Sequence, residues 1–216
     1  MTIPRTVWIA RHGARADYVN GEWVTWPERP HDPPLSELGL RQAEDMAEFF
    51  RKQDIHHIFV SPYLRTLQTI RPTARALGLP IKIEIGLSEC LWNNPSQPPF
   101  LASSALHQQF PEVDERYRPW LPALTGPEPE EAAHQRGAQL AQALVERFEG
   151  NLLLVGHGVT VLGAVRGLAG SAVTVQTSFA AISRIEQHPA GWTLAANGDT
   201  SHLSESARGE QHIITL

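Results

Sequence analysis

The sequence predicts an α/β fold: a single domain over residues 1–216, with a mainly parallel mixed sheet flanked by helices. Three observations carry that reading. Short apolar runs rich in β-branched residues alternate with longer stretches of helical periodicity, as in strands joined by helical crossovers. Two final extended segments, residues 180–187 and 192–197, are separated by Pro189-Ala190-Gly191 and read as a hairpin at a sheet edge. A chain of 216 residues, 42% hydrophobic and 19% charged, can bury one core without disulfides or a structural metal.

Residues 6–10 (TVWIA) form an apolar run with β-branched and aromatic side chains, which predicts a buried parallel strand. Residues 36–51 follow with Ala43, Met46, Ala47 and Phe50 at helical spacing and Ser36 placed to cap the helix. Residues 58–60 predict a second strand. Ser61-Pro62 then reads as an N-cap with proline at the first helical position. That helix continues through Leu64, Leu67 and Ile70, with a kink expected at Pro72 and a stop at Gly78 and Pro80. Residues 81–85 predict a third strand, residues 130–148 a helix, and residues 151–155 (NLLLV) another buried strand. Gly156-His157-Gly158 opens a further helix ending near Gly167. Residues 90–129 stand apart, with eight of the 17 prolines and little periodicity. They are expected to form an insertion that acts as a lid over the C-terminal strand ends.

Composition narrows the function. A net charge of −5 argues against nucleic acid or an anionic membrane as partner. Cys90 is the only cysteine, which excludes an internal disulfide framework and paired-cysteine zinc sites. No run approaches 18 apolar residues, so no membrane-spanning helix is expected. The start, Met1-Thr2-Ile3-Pro4-Arg5, lacks the apolar core of a signal peptide, and a cytoplasmic location is expected. Lys52 and Lys82 are the only lysines among 18 basic residues. Arginine suits phosphate and carboxylate well, but codon bias explains the preference equally, and it decides nothing alone. There is no G-x-x-x-x-G-K-[ST] loop and no H-E-x-x-H. Gly156-x-Gly158 lacks the third glycine of a dinucleotide fingerprint, since position 161 is valine.

Chemistry-bearing residues recur at strand ends. Arg11-His12-Gly13 follows the first strand, and His157 follows NLLLV between two glycines that let backbone approach a ligand closely. Arg65 lies one turn into the helix after the second strand, and Glu89 a few residues past the third. In an open parallel sheet, ligands bind outside the carboxyl ends of the strands. Arg11, His12, Arg65, Glu89 and His157 are therefore expected to converge on one pocket, with cations for a dianion and one carboxylate as a proton donor. Other histidines (His56, His57, His107, His134, His188, His202 and His212) show no ligand spacing, so no metal is expected.

Ala10-Arg-His-Gly13, the helix start Pro34-Leu-Ser-Glu-Leu-Gly-Leu-Arg-Gln-Ala43, Ser61-Pro-Tyr-Leu-Arg-Thr-Leu-Gln-Thr69, Gly86-Leu-Ser-Glu89 and Val155-Gly-His-Gly158 occur in that order. In them the chain resembles the histidine phosphatase superfamily, the group with the phosphoglycerate-mutase-like fold. The resemblance implies that His12 takes the phosphoryl group, that Arg11, Arg65 and His157 hold its oxygens, and that Glu89 is the general acid. No cofactor is implied. Arg15 and Gly158 are expected to add substrate contacts. The form Arg11-His-Gly-Ala-Arg15-Ala-Asp17 looks like that of protein-tyrosine and steroid-phosphate phosphatases in the group. Mutases of the group usually carry an acidic residue after R-H-G, where this chain has Ala14. The expected activity is therefore metal-independent hydrolysis of a small-molecule or phosphoprotein phosphate ester. The alternatives are a phosphoglycerate-type mutase and a catalytically silent binding or regulatory module. Trp23, Trp26, Trp92, Phe100 and Trp120 are candidates for an apolar wall beside the phosphate, and Asp17 is the rival acid. Cys90, next to Glu89, is read as incidental. The hairpin edge permits a homodimer without requiring one.

Overall fold

The computed structural model of the chain describes residues 5–19, 32–90, 101–124 and 126–208. Its elements are β1 (Thr6–Arg11), a short helix α1 (Ala16–Val19), α2 (Glu37–Phe50), β2 (His57–Val60), α3 (Leu64–Leu77) and β3 (Ile81–Ile83). A 3₁₀ turn (Ile85–Leu87) and the short α4 (Ser103–Gln109) precede α5 (Glu130–Arg147), β4 (Leu152–Gly156) and α6 (Gly158–Ala169). The chain continues as β5 (Ile182–His188), β6 (Gly191–Asp199) and α7 (Glu205–Arg208). The strands form one sheet in the order β3-β2-β4-β1-β5-β6. The first three pairings from the β3 edge are parallel, and the last two, which bring in the hairpin, are antiparallel.

The two-residue alternation of the central strands splits the core into two layers. Trp8, Ile58, Val60, Leu153 and Val155 face α2 and α3, packing on Met46, Phe50, Leu67 and Ile70. Val7, Ile9, Phe59, Leu152 and Leu154 face α5 and α6, packing on Leu140, Leu144, Val161 and Val165. Each of these side chains is buried, which is why β1 and β4 read as continuous apolar runs rather than alternating ones. No helix among the described residues is long and apolar enough to cross a membrane.

Several boundaries differ from the sequence reading. Ser61 does not cap α3; the N-cap is Tyr63 and the helix begins at Leu64. The Ser61 hydroxyl is engaged with His157 at 2.9 Å, and the Leu64 N–H donates instead to Asp32 Oδ1 at 2.8 Å. The cap thus comes from 32 residues upstream, where local patterns do not reach. Pro72 sits inside an unbroken α3, whose buried face of Leu67, Ile70 and Ala74 runs past the missing N–H. Gly78 ends it with φ 65°, the left-handed cap that favours glycine. The third strand stops at Ile83, where the backbone turns into the 3₁₀ segment.

The insertion is only partly irregular. It contains α4, and Val113 bridges Ile81 in parallel at the β3 edge. The Ile81 N–H donates to Glu112 O, and the Asp114 N–H to Ile81 O, both at 2.8 Å. The carboxylate of Glu84, fully buried just past β3, accepts from the Tyr117 hydroxyl and the Trp120 N–H. Trp120 itself stays 39% exposed. The other expected wall residues, Trp23, Trp26, Trp92 and Phe100, lie outside the described residues, as do residues 91–100 and 125 of the expected lid, 90–129.

Candidate active site

Strand register places the two histidines. Arg11 at the end of β1 pairs with Gly156 at the end of β4. Each strand continues directly into a histidine, so His12 and His157 emerge side by side, ring centroids 5.2 Å apart. The His12 N–H donates to Gly156 O at 3.1 Å, extending the ladder one step. Val60 of β2 pairs with Val155 on the other side of β4. This brings Ser61, and four residues later Arg65 in the first turn of α3, to the same sheet end.

Both imidazoles are fully buried. His12 Nδ1 lies 2.7 Å from Gly13 O. A carbonyl can only accept, so the proton is on Nδ1 and Nε2 keeps its lone pair. Arg65 Nε donates to that Nε2 at 3.3 Å. In His157 the polarity is reversed. Arg65 donates from its second terminal nitrogen to Nδ1 at 3.1 Å, and Nε2 faces the Ser61 hydroxyl. Burial, then the charges of Arg65 and Arg11, holds His12 well below the ordinary histidine value. His157 is lowered in the same way, by burial first and then by Arg65. Two neutral imidazoles thus flank one guanidinium.

Arg65 is 1% exposed. Its guanidinium stacks over the Tyr63 ring at 4.5 Å and lies 3.6 Å from Asp32 Oδ1 and 3.7 Å from Glu89 Oε2. Arg11, also buried, donates to Thr177 O at 2.5 Å and stacks over Phe179 at 4.3 Å. Arg15 holds Asp17 through two nitrogens, and its charge acts on Arg65 and both histidines. Glu89 Oε2 stands 3.5 Å from His157 Nδ1, while its other oxygen accepts the Cys90 N–H at 3.0 Å. At 24% side-chain exposure it is the member of the cluster nearest solvent. Gly158 is the first residue of α6, so the helix N-terminus, with N–H groups that lack intrahelical partners, abuts the cluster.

The expected convergence of Arg11, His12, Arg65, Glu89 and His157 is therefore present, with Arg15 at its margin. The sequence reading missed Tyr63, Asp32, Thr177 and Phe179, which hold Arg65 and Arg11, and Ser61, which holds His157. Only Ser61 and Tyr63 lie inside a motif block, and neither carries a local signal of its role. Among the described residues, His12, Glu89 and His157 have donor atoms within 4.8 Å of one another, close enough to share a cation. Arg65 already donates to both imidazole lone pairs, and Arg11 adds a second charge. A cation would have to displace the guanidinium against that repulsion, so the site suits an anion.

A sequence profile of the histidine phosphatase superfamily, branch 1, matches residues 7–200. The chain is 27% identical to the ecdysteroid-phosphate phosphatase of Drosophila melanogaster over 88% of its own length and 31% of that protein's. It is 29% identical to the transcription factor tau 55 kDa subunit of Saccharomyces cerevisiae, covering 78% of the chain and 42% of the subunit. The chain thus spans less than half the length of these two relatives. A probable phosphoglycerate mutase of Yersinia pestis is 28% identical, with 94% of the chain and 97% of the mutase covered. Among solved structures, the ecdysone phosphate phosphatase of Bombyx mori in complex with tungstate superposes with a TM-score of 0.73 at 24% identity, covering 90% and 93% of the two chains. A mycobacterial glucosyl-3-phosphoglycerate phosphatase gives 0.63 at 21% identity, with 90% and 100% covered.

Proposed function

The chain belongs to the histidine phosphatase superfamily, branch 1, and from that premise we propose that it hydrolyses phosphate monoesters through a phosphohistidine on His12. The observation that carries the proposal is the buried pair of neutral imidazoles spanned by Arg65, with the His12 Nε2 lone pair directed into the cluster. In the first step the Arg65 Nε–H passes from His12 Nε2 to a phosphoryl oxygen, the freed Nε2 lone pair forms a bond to phosphorus, and the ester P–O bond breaks. The leaving oxygen takes a proton from Glu89. In the second step water attacks phosphorus, Glu89 takes back a proton, and the P–N bond breaks to regenerate neutral His12. Charge on the transferring phosphoryl oxygens is met by Arg11 and Arg65, and by His157 once phosphate draws Arg65 from Nδ1 and the ring takes the tautomer with its proton on Nδ1, the Ser61 hydroxyl then donating to Nε2; Arg15 and the α6 N-terminus at Gly158 are further contacts. Such fixed donors act without reorganising during the step. These residues carry the route without a metal.

The ester-hydrolysing relatives and Ala14 after the R-H-G block favour a phosphatase over a mutase. Asp17, the rival acid, has both oxygens engaged by Arg15. Purified protein should release phosphate from p-nitrophenyl phosphate at an undiminished rate after exhaustive dialysis against EDTA. It should hydrolyse 3-phosphoglycerate, if it accepts it, rather than interconvert its isomers. Isomer interconversion would assign the mutase activity. No turnover of any ester would assign a binding module, and loss of rate with EDTA would overturn the metal-free route.

A further inference from the structure

The carbonyls of the acid-bearing turn, residues 86–89, are met by two side chains from other elements. Arg136 of α5 is a buried arginine that takes no part in the phosphate cluster. One of its terminal nitrogens donates to Gly86 O at 2.7 Å and Ser88 O at 3.1 Å, and the other reaches Glu89 O at 3.5 Å. Glu128 closes the far side of the guanidinium as its ion-pair partner. The remaining carbonyl, Leu87 O, accepts from Thr160 Oγ1 at 3.1 Å, and the same hydroxyl accepts the His157 N–H. All four carbonyls of the turn are thus fixed, three of them by one planar fork.

We propose that Arg136 is the positioning residue for Glu89, the fork that sets where the Glu89 carboxylate stands relative to the leaving oxygen. The inference rests on the reading of Glu89 as the general acid. A buried arginine is costly unless its donors are met. Here they are met by the turn that carries the acid, while Glu89 itself stays partly exposed and free to reach a substrate. Lysine in its place keeps the charge but loses the planar fork, and cannot hold three carbonyls and a carboxylate together.

The test compares an alkyl phosphate, whose leaving oxygen needs a proton, with p-nitrophenyl phosphate, whose leaving oxygen does not. Both are measured under conditions where transfer to His12 limits the rate, as judged by the absence of a product burst. Glu89→Gln should slow the alkyl ester selectively. Arg136→Lys should do the same, by about 10–100-fold on the alkyl ester, the scale of a small misplacement, and by under about 3-fold on the nitrophenyl ester. The double variant should lose no more on the alkyl ester than Glu89→Gln alone. Arg136→Gln, with a smaller planar donor, serves if the lysine variant does not fold, folding being checked by thermal melting. If Glu89→Gln is selective but the Arg136 variants slow both esters equally, or if the losses on the alkyl ester add, positioning is overturned and the acid assignment stands. If Glu89→Gln is itself unselective, the acid assignment falls and the inference with it.

Discussion

His12 and His157 share one guanidinium but present opposite ring nitrogens to it, Nε2 from the first and Nδ1 from the second. The difference follows from the second partner of each ring, the Gly13 carbonyl for His12 and the Ser61 hydroxyl for His157. Nitrogen-15 spectra of the phosphate-free protein at pH 6.5 should show both rings neutral, with the proton on Nδ1 of His12 and on Nε2 of His157. A charged ring in either would contradict the burial argument. At this scale the general acid is also decided. Glu89→Gln should lower alkyl phosphate turnover by about 10²–10⁴-fold, the usual worth of a placed proton donor, with a much smaller loss on p-nitrophenyl phosphate. If Asp17→Asn shows that pattern instead, the acid is Asp17. The chemistry-bearing residues were legible because each lies in a short motif that follows a strand, Arg11, His12 and His157 at the strand end itself and Arg65 and Glu89 a few residues beyond it. Ser61 was misread because a serine before proline looks like a cap, and only the long-range contact to His157 reveals its use.

Helices α5 and α6 pack backbone to backbone. A Cβ on Gly163 of α6 would lie 2.1 Å from His134 O, and one on Gly137 of α5 would lie 2.7 Å from Thr160 O. These neighbours are main chain and cannot swing away. Gly163→Ala should therefore cost about 1–3 kcal/mol, as overpacking does, and lower the melting temperature by several degrees. Because α6 starts one residue after His157, the same variant should lose activity beyond its loss of stability. An unchanged melting temperature would refute the close contact. Periodicity made these helices legible, but it does not report how near two helices come. The insertion shows the same limit. Its proline content hid α4, and the bridge from Val113 to Ile81 follows only once β3 is an edge strand. Glu84, which pins Tyr117 and Trp120 of the insertion, is pushed up from its ordinary value to about 6 by burial. Carbon-13 titration of its carboxyl should find a midpoint near that value, and an ordinary midpoint would mean that the insertion does not cover it.

The whole sheet sets the site by register. β4 lies between β1 and β2, so three strand ends deliver Arg11-His12, Ser61 and His157 to one place, and α3 brings Arg65 to it. The sequence predicts parallel strands and an edge hairpin, but not that β4, fourth in the chain, takes the centre; strand order is fixed by pairings between segments more than 90 residues apart. The buried histidines also shape the stability of the molecule. The unfolded chain binds protons at these groups near pH 6.5 while the folded chain, with both values lowered, does not. Their contribution is full above pH 6.5 and falls as the pH drops below it. Glu84 acts in the opposite sense: with its folded value raised to about 6, it favours folding at low pH and loses that contribution as the pH rises through 6. Replacing both histidines by asparagine should flatten the decline in denaturant stability between pH 6.5 and 5. A decline of unchanged slope would show that they do not cause it. The central claim, transfer of the phosphoryl group to His12, is tested most directly by trapping. Wild-type protein quenched without acid during turnover of a slow ester and analysed by mass spectrometry should carry phosphate on His12, and His12→Ala should carry none and turn over nothing. Phosphate on another residue, or sustained turnover by His12→Ala, would contradict the account.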